Sequence, residues 1–186
     1  MNDQDLVRQV LRGNRGAFQM LIDQHKSLVA HMVGRVVKRE LDHEEICQDV
    51  FLKVHDRLDE FKFESKLSTW VATIAFRMSI NFIKKKELTI IDEAEVEKEI
   101  VDRIADNSFP ADIISKDDSK SYIHIMILEL PVQYRTVLTL YHLEEMSYPE
   151  IKEVTGMPEG TVKNYLFRGR KLLKERLEIF LKTEEL

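Results

Sequence analysis

The 186-residue chain has one cysteine, one tryptophan, four prolines and six glycines, and each scarcity closes off a class of protein. A single thiol, Cys47, excludes an intramolecular disulfide framework, and no Cys/His spacing fits a zinc ribbon or finger. The reducing cytoplasm is the expected setting. No apolar run approaches the roughly 18 residues of a membrane span, and the N-terminus MNDQDLVRQV lacks the features of a secretory signal, so neither an anchor nor a leader is expected. A phosphate-binding glycine loop, a nucleophile motif and a metal-ligand cluster are also missing, so no catalysis, cofactor or metal is expected. Internal repeats and convincing strand patterns are absent too.

What remains is a helical pattern and an uneven charge. With 44% hydrophobic residues the chain can bury a real core, and its length suits one domain or two small ones. The formal charge of −5 is not spread evenly. Residues 1 to 86 carry 15 Lys/Arg against 12 Asp/Glu, residues 87 to 130 carry 4 against 12, and residues 131 to 186 carry 9 of each. Two lobes that are neutral or basic, joined by an acidic strap, form a different object from a uniformly acidic protein.

In chain order, Asp3 to Leu11 reads as a short helix stopped near Gly13 and Asn14. Ala17, Leu21, His25, Leu28, Val29, Met32, Val33 and Val36 keep a helical period through about residue 37, with His25 as a core residue. Asp42 and Glu45 form a capping signature for a helix through Ile46, Val50, Phe51, Val54 and Leu58. His43 and Cys47 lie one turn apart, but a metal site would need two further ligands that the local sequence does not supply. The stretch DEFKFESKL breaks the period as a loop, and Ser68 to Lys86 resumes a helix with Trp70, Thr73, Arg77, Asn81 and Lys84 on one side. Aromatic and basic side chains together suit single-stranded nucleic acid. Locally they also fit a core tryptophan and a helix C-terminus favoured by its dipole. Residues 87 to 120 read as a linker with a short helix near Ala94 to Ile104, before apolar helices at Tyr122 to Leu130 and Val132 to Tyr141.

The most telling stretch is Met146 to Arg176. Ser147 and Glu150 are spaced as a capping box, Ile151 and Val154 give a buried side, and Thr155, Gly156 and Met157 make a turn. Val162, Leu166, Gly169, Leu173 and Leu177 then recur at helical spacing, while Lys163, Phe167, Arg170 and Lys174 form a second stripe. Six basic residues against one acidic lie between positions 163 and 176, a local charge of +5 that phosphates can neutralise. The pattern is that of a helix-turn-helix whose second helix enters a major groove. A stand-alone regulator binding its operator as a dimer through this helix is an alternative use of the same motif.

The motifs AFQMLIDQHKSLV, EEICQDVFLKVHDRLDEF, LSTWVATIA, LPVQYRTVLTLYHLEEMSYPEI and GMPEGTVKNYLFRGRKLL occur in that order along nearly the whole chain. In this the sequence resembles the extracytoplasmic-function group of sigma-70 family initiation factors, the subunits that direct bacterial RNA polymerase to promoters. The resemblance implies an all-α protein of two small helical domains, a region 2-like domain over residues 1–86 and a region 4-like domain over 121–186, joined by an acidic linker over 87–120. It implies that Gln48, Asp49 and Lys53 meet core RNA polymerase. It implies that Phe61, Phe63, Lys66, Trp70, Arg77, Asn81 and Lys84 capture the melted non-template strand of the minus-ten element. Lys163, Asn164, Phe167 and Arg168 would read the duplex minus-thirty-five element, with Arg170 and Lys171 at its backbone. An anti-sigma factor, often membrane-bound, is the further partner implied. Where the family carries Asn after the Ile-Ala pair of the fourth helix, this chain has Phe76-Arg77, and a guanidinium donates hydrogen bonds but accepts none.

Overall fold

The computed structural model describes residues 2–37, 39–88 and 126–184, with the side chains of 86–88 and 179–184 excepted. Helices and turns make up these residues, without a strand among them. Helix α1 spans Asp3–Leu11, α2 Arg15–Val36, α3 His43–Asp56 and α4 Leu67–Leu88. Helix α5 spans Val132–His142, α6 Tyr148–Thr155 and α7 Glu159–Glu184. The linker region 89–120, its short helix near Ala94 to Ile104, and Tyr122 and Ile123 lie outside the described residues.

Local chemistry sets the helix ends. The Asn2 side chain accepts from the Asp5 amide at 2.8 Å and the Asn14 side chain from the Ala17 amide at 3.2 Å, so α1 and α2 each start on an asparagine cap. Gly13 turns between them at φ 82°, a conformation that costs glycine little. The expected capping box at the start of α3 is not formed. Asp42 has helical backbone angles and makes no cap hydrogen bond, because a 3-10 turn at Glu40–Asp42 runs directly into the helix. Its carboxylate instead lies 3.8 Å from Arg39.

The core of the N-terminal half comes from α2, which packs against α1, α3 and α4 through Leu21, Val29, Met32 and Val33, each fully buried. His25 lies in this core as the period predicts, and burial lowers its pKa, favouring the neutral imidazole. In the C-terminal half α7 packs on α5 and α6 through Val162 and Leu166. Gly169 is where α7 comes closest to α5: a Cβ there would meet Leu138 Cδ1 at 3.0 Å and Tyr134 Cβ at 3.3 Å.

The halves also pack on each other, α2 against α5 and α4 against α6. Polar contacts run along this seam. Arg35 Nε donates to the Thr139 hydroxyl at 2.9 Å. Arg135 Nε donates to the Arg35 carbonyl, and its Nη1 to the Leu128 carbonyl at 2.8 Å. His31 Nδ1 lies 2.6 Å from a Glu144 carboxylate oxygen, and Lys66 Nζ lies 2.9 Å from Glu150.

Glu150 therefore serves two masters. The capping box of α6 forms as the spacing predicts, with the Ser147 amide and hydroxyl donating to the Glu150 carboxylate at 2.8 and 2.6 Å. The Ser147 hydroxyl holds its pKa down from 4.5 to about 2 against the opposing effect of burial, with the Ser147 amide and Lys66 assisting. A depressed folded-state pKa gives stability that is present above the unfolded value and lost as pH falls through the folded one.

Two outcomes follow. Gly169→Val should cost about 1 to 3 kcal/mol in urea unfolding, because the added methyls force α7 away from α5. Glu150→Gln, which mimics the protonated acid, should cost about 1 to 2 kcal/mol at pH 7. That difference should shrink between pH 4.5 and about 2, and a pH-independent difference would show that the charge is not what matters.

Candidate nucleic-acid interface

The turn that presents the second helix of the motif depends on Gly156, at φ 74°, whose amide donates to the Lys152 carbonyl at 2.8 Å and ends α6 in a left-handed cap. Helix α7 then begins at Glu159 and divides into two faces as the periodicity requires. Val162, Leu166 and Gly169 are buried, while Lys163, Asn164, Phe167, Arg168, Arg170 and Lys171 are all exposed. Phe167 is 69% exposed, an apolar ring standing in a basic surface.

These residues are not equally free to move. Tyr141 and Tyr148 stack with centroids 5.4 Å apart, and their rings form a platform for two cations. Lys163 Nζ lies 5.4 Å from the Tyr148 centroid, and the Arg170 guanidinium 5.2 Å from that of Tyr141. Arg170 Nε also donates to His142 Nε2 at 3.2 Å, whose pKa is lowered by burial and then by that guanidinium. The platform fixes two positive charges at the flanks of the helix. The side chains of Asn164, Phe167 and Arg168, between them, make no hydrogen bond or ion pair with other described residues.

The second cluster is more layered than its sequence suggests. Phe61 is a core residue, 6% exposed, with Phe63 4.7 Å and Trp70 5.4 Å away between ring centroids. The 3-10 turn Leu58–Glu60 precedes it and sets it beneath its two aromatic neighbours. Phe63 is 44% exposed and adopts φ 59°, a left-handed conformation costly for a bulky residue. Trp70 is half-buried on α4. Arg77 and Asn81 follow it, exposed, at seven and eleven residues' distance, which keeps all three on one side of the helix, and Lys84 is half-buried beyond them. Lys66, in the loop, reaches across to Glu150 of the helix-turn-helix.

On α3, Gln48, Asp49 and Lys53 are all exposed, with the Gln48 amide donating to Glu44 at 3.3 Å. Leu52, 61% exposed, lies on this same polar face. The sequence did carry its signal, an apolar residue out of step with Ile46, Val50 and Val54. His43, one turn from Cys47, uses Nε2 to hold the Val37 carbonyl at 2.8 Å, and among the described residues there is no group of three side chains able to hold a metal ion.

Comparison with known proteins gives these surfaces a context. Residues 21–89 match the family model of sigma-70 region 2 and residues 121–173 that of sigma-70, region 4. The ECF RNA polymerase sigma factor SigW of Bacillus subtilis is 32% identical over 179 residues, covering 92% of this chain and 94% of that protein. The ECF RNA polymerase sigma-E factor of Escherichia coli K12 is 28% identical over 183 residues, covering 96% and 95%. Among solved structures, CnrH in complex with the cytosolic domain of CnrY gives a TM-score of 0.66 at 20% identity, over 95% of this chain and 97% of that one. The sigma factor RpoE of Bartonella quintana, in complex with the anti-sigma factor NepR, gives 0.65 at 19%, over 87% and 97%. At those identities the likeness is one of fold. With both sigma-70 regions in order and a relative 32% identical along almost its entire length, the chain belongs to the extracytoplasmic-function sigma factors, alternative sigma subunits that bring core RNA polymerase to promoters and initiate transcription.

Proposed function

We propose that the two surfaces divide promoter recognition between a domain over residues 1–86 and a domain over 121–186, joined by the acidic linker 87–120, with no catalysis by this chain itself. The observation that carries this reading is the exposed basic face of α7, where Asn164, Phe167 and Arg168 stand between two tyrosine-braced cations. Lys163, Asn164, Phe167 and Arg168 read the minus-thirty-five duplex, and Arg170 and Lys171 meet its phosphates. Phe63, Lys66, Trp70, Arg77, Asn81 and Lys84 capture the melted minus-ten strand by stacking and charge, with Phe61 as the floor beneath the rings. Gln48, Asp49 and Lys53 contact core polymerase, and exposed Leu52 supplies an apolar centre to that face.

Elements roughly 25 base pairs apart, at about 3.4 Å each, are separated by on the order of 85 Å. A compact chain of this length has a radius of gyration of about 16 Å. Both elements can be held at once only if the halves separate, which breaks the Lys66–Glu150 and His31–Glu144 contacts. The packed arrangement is on this reading the resting form, and promoter engagement the open one. An anti-sigma factor is the natural partner for the resting form; RpoE of the similar solved structure is in complex with the anti-sigma factor NepR. The chain acts in the cytoplasm, and a membrane-bound anti-sigma factor would hold it at the inner face.

Run-off transcription with purified core polymerase tests the reading directly. The chain should let core start at a specific promoter; tight binding to duplex DNA without any stimulation of core would make it a stand-alone regulator. Arg168→Ala should lower promoter-directed transcripts roughly tenfold or more, the effect of losing one good base contact, while a pull-down shows unchanged affinity for core. Trp70→Ala should impair initiation more on a duplex than on a premelted template. An equal loss on both would assign Trp70 to the core of its domain.

A further inference from the structure

Where α2 meets α5 the seam forms a cleft of about 320 Å³, open to solvent on one side and lined by His31, Gly34, Arg35, Glu40, His43 and Arg135 among others. Its volume is on the order of ten times the roughly 30 Å³ that a water molecule occupies in the liquid. Its lining residues include two arginines, two histidines and one glutamate; His31 is paired with Glu144 and Arg35 bonds Thr139, so among the described residues Arg135 is the cation there without a carboxylate partner. The guanidiniums come from opposite halves of the molecule, and both residues are almost fully buried, Arg35 at 5% and Arg135 at 4% exposure.

Arg135 is the unusual member. Its Nε and Nη1 donate to the carbonyls of Arg35 and Leu128, each at the last turn of a helix, where partial negative charge gathers. Its Nη2 is buried without a hydrogen-bond partner. No carboxylate is among its partners, so a full positive charge is balanced only by dipoles. Burial lowers the pKa of Arg135 to about 10, with repulsion from Arg35 adding to it, and burial lowers that of Arg35 as well. A buried cation without a counter-ion costs several kcal/mol, and a nearby anion would offset much of that. Beside it, a Cβ on Gly34 would meet only the His43 ring, at 3.6 Å, so the missing side chain leaves room on that wall. His43 donates through Nε2 to Val37, which leaves Nδ1 facing the Gly34 side, able to donate once protonated.

We infer that this cleft binds a small oxyanion of the phosphate class, held between Arg35 on α2 and Arg135 on α5 with His43 beside them. Guanidinium forks match tetrahedral oxyanions in geometry as well as charge. Because the two arginines belong to different halves, the bound anion bridges the seam and favours the packed form by mass action. The site is independent of how α7 reads DNA, so its failure would leave the promoter reading untouched.

The test is thermal unfolding of the full chain titrated with inorganic phosphate at constant ionic strength, with chloride as the balancing anion. A tenfold excess over Kd should raise the midpoint by about 3 to 6 °C and then saturate. Small-angle scattering should show the radius of gyration falling over the same concentration range. Arg135→Gln should abolish the saturable rise. Should that variant fail to fold, Gly34→Val, which narrows the cleft beside His43 while keeping every charge, should abolish it instead. No response to phosphate, or a non-saturating rise of equal slope in wild type and Gly34→Val, overturns the proposal, since excluded phosphate stabilises proteins generally.

Discussion

The guanidinium of Arg135 enters the seam between α2 and α5 with carbonyl oxygens as partners for its Nε and Nη1, and these bonds tie the two halves together. One of those carbonyls closes the last turn of α2, and the other ends the helical residues before Pro131. The side chain thus caps the ends of two helical segments, and Arg35 completes the joint through Thr139. Such a joint specifies geometry more than it adds stability. Desolvating a charge costs several kcal/mol and the hydrogen bonds return only part of it, whereas any other docking would strand the charge. A seam built this way favours one packed arrangement and remains separable.

Separability matters because, on the proposed reading, the two halves work apart at the promoter. The helix-turn-helix half folds around local devices, the Ser147–Glu150 box, the left-handed Gly156 and the tyrosine pair under Lys163 and Arg170. None of these needs the N-terminal half. Of the polar contacts that these devices make among the described residues, the one from Glu150 to Lys66 crosses the seam, and Lys66 is itself largely exposed. Partly exposed ion pairs of this kind are worth about 1 kcal/mol or less. Seam contacts involving the loop that carries Lys66 are therefore weak, while the buried arginines where α2 meets α5 hold the joint more firmly.

The aromatic loop shows how one cluster divides between support and presentation. Phe61 fills the core and in doing so props Phe63 outward, at a backbone angle that an unbraced phenylalanine would avoid. On α7 the division is between held and unheld cations: Lys163 and Arg170 rest on tyrosine faces, and Arg168 is left to reach. In both places rigid neighbours surround a small number of side chains available to a ligand, which limits the entropy lost on binding.

Much of this was legible in the residues themselves. The helical period of Leu21 to Val36, the capping box at Ser147, the turn at Gly156 and the basic stripe from Lys163 are local signals, and local hydrogen bonding and side-chain spacing decide them whatever surrounds them. The ordered motifs named the family for the same reason. The sequence signals misled where a competing local structure intervened: the 3-10 turn before His43 displaced the expected Asp42 cap. Contacts between residues more than a hundred positions apart leave no periodic trace. By itself the sequence determined the helices, their buried faces and the charge they display, because those depend on neighbours within a turn or two. Only the tertiary structure decided that Arg35 and Arg135 would share one buried seam, and that His31 and Lys66 would face glutamates of the other half, because packing across the whole chain brings those groups together.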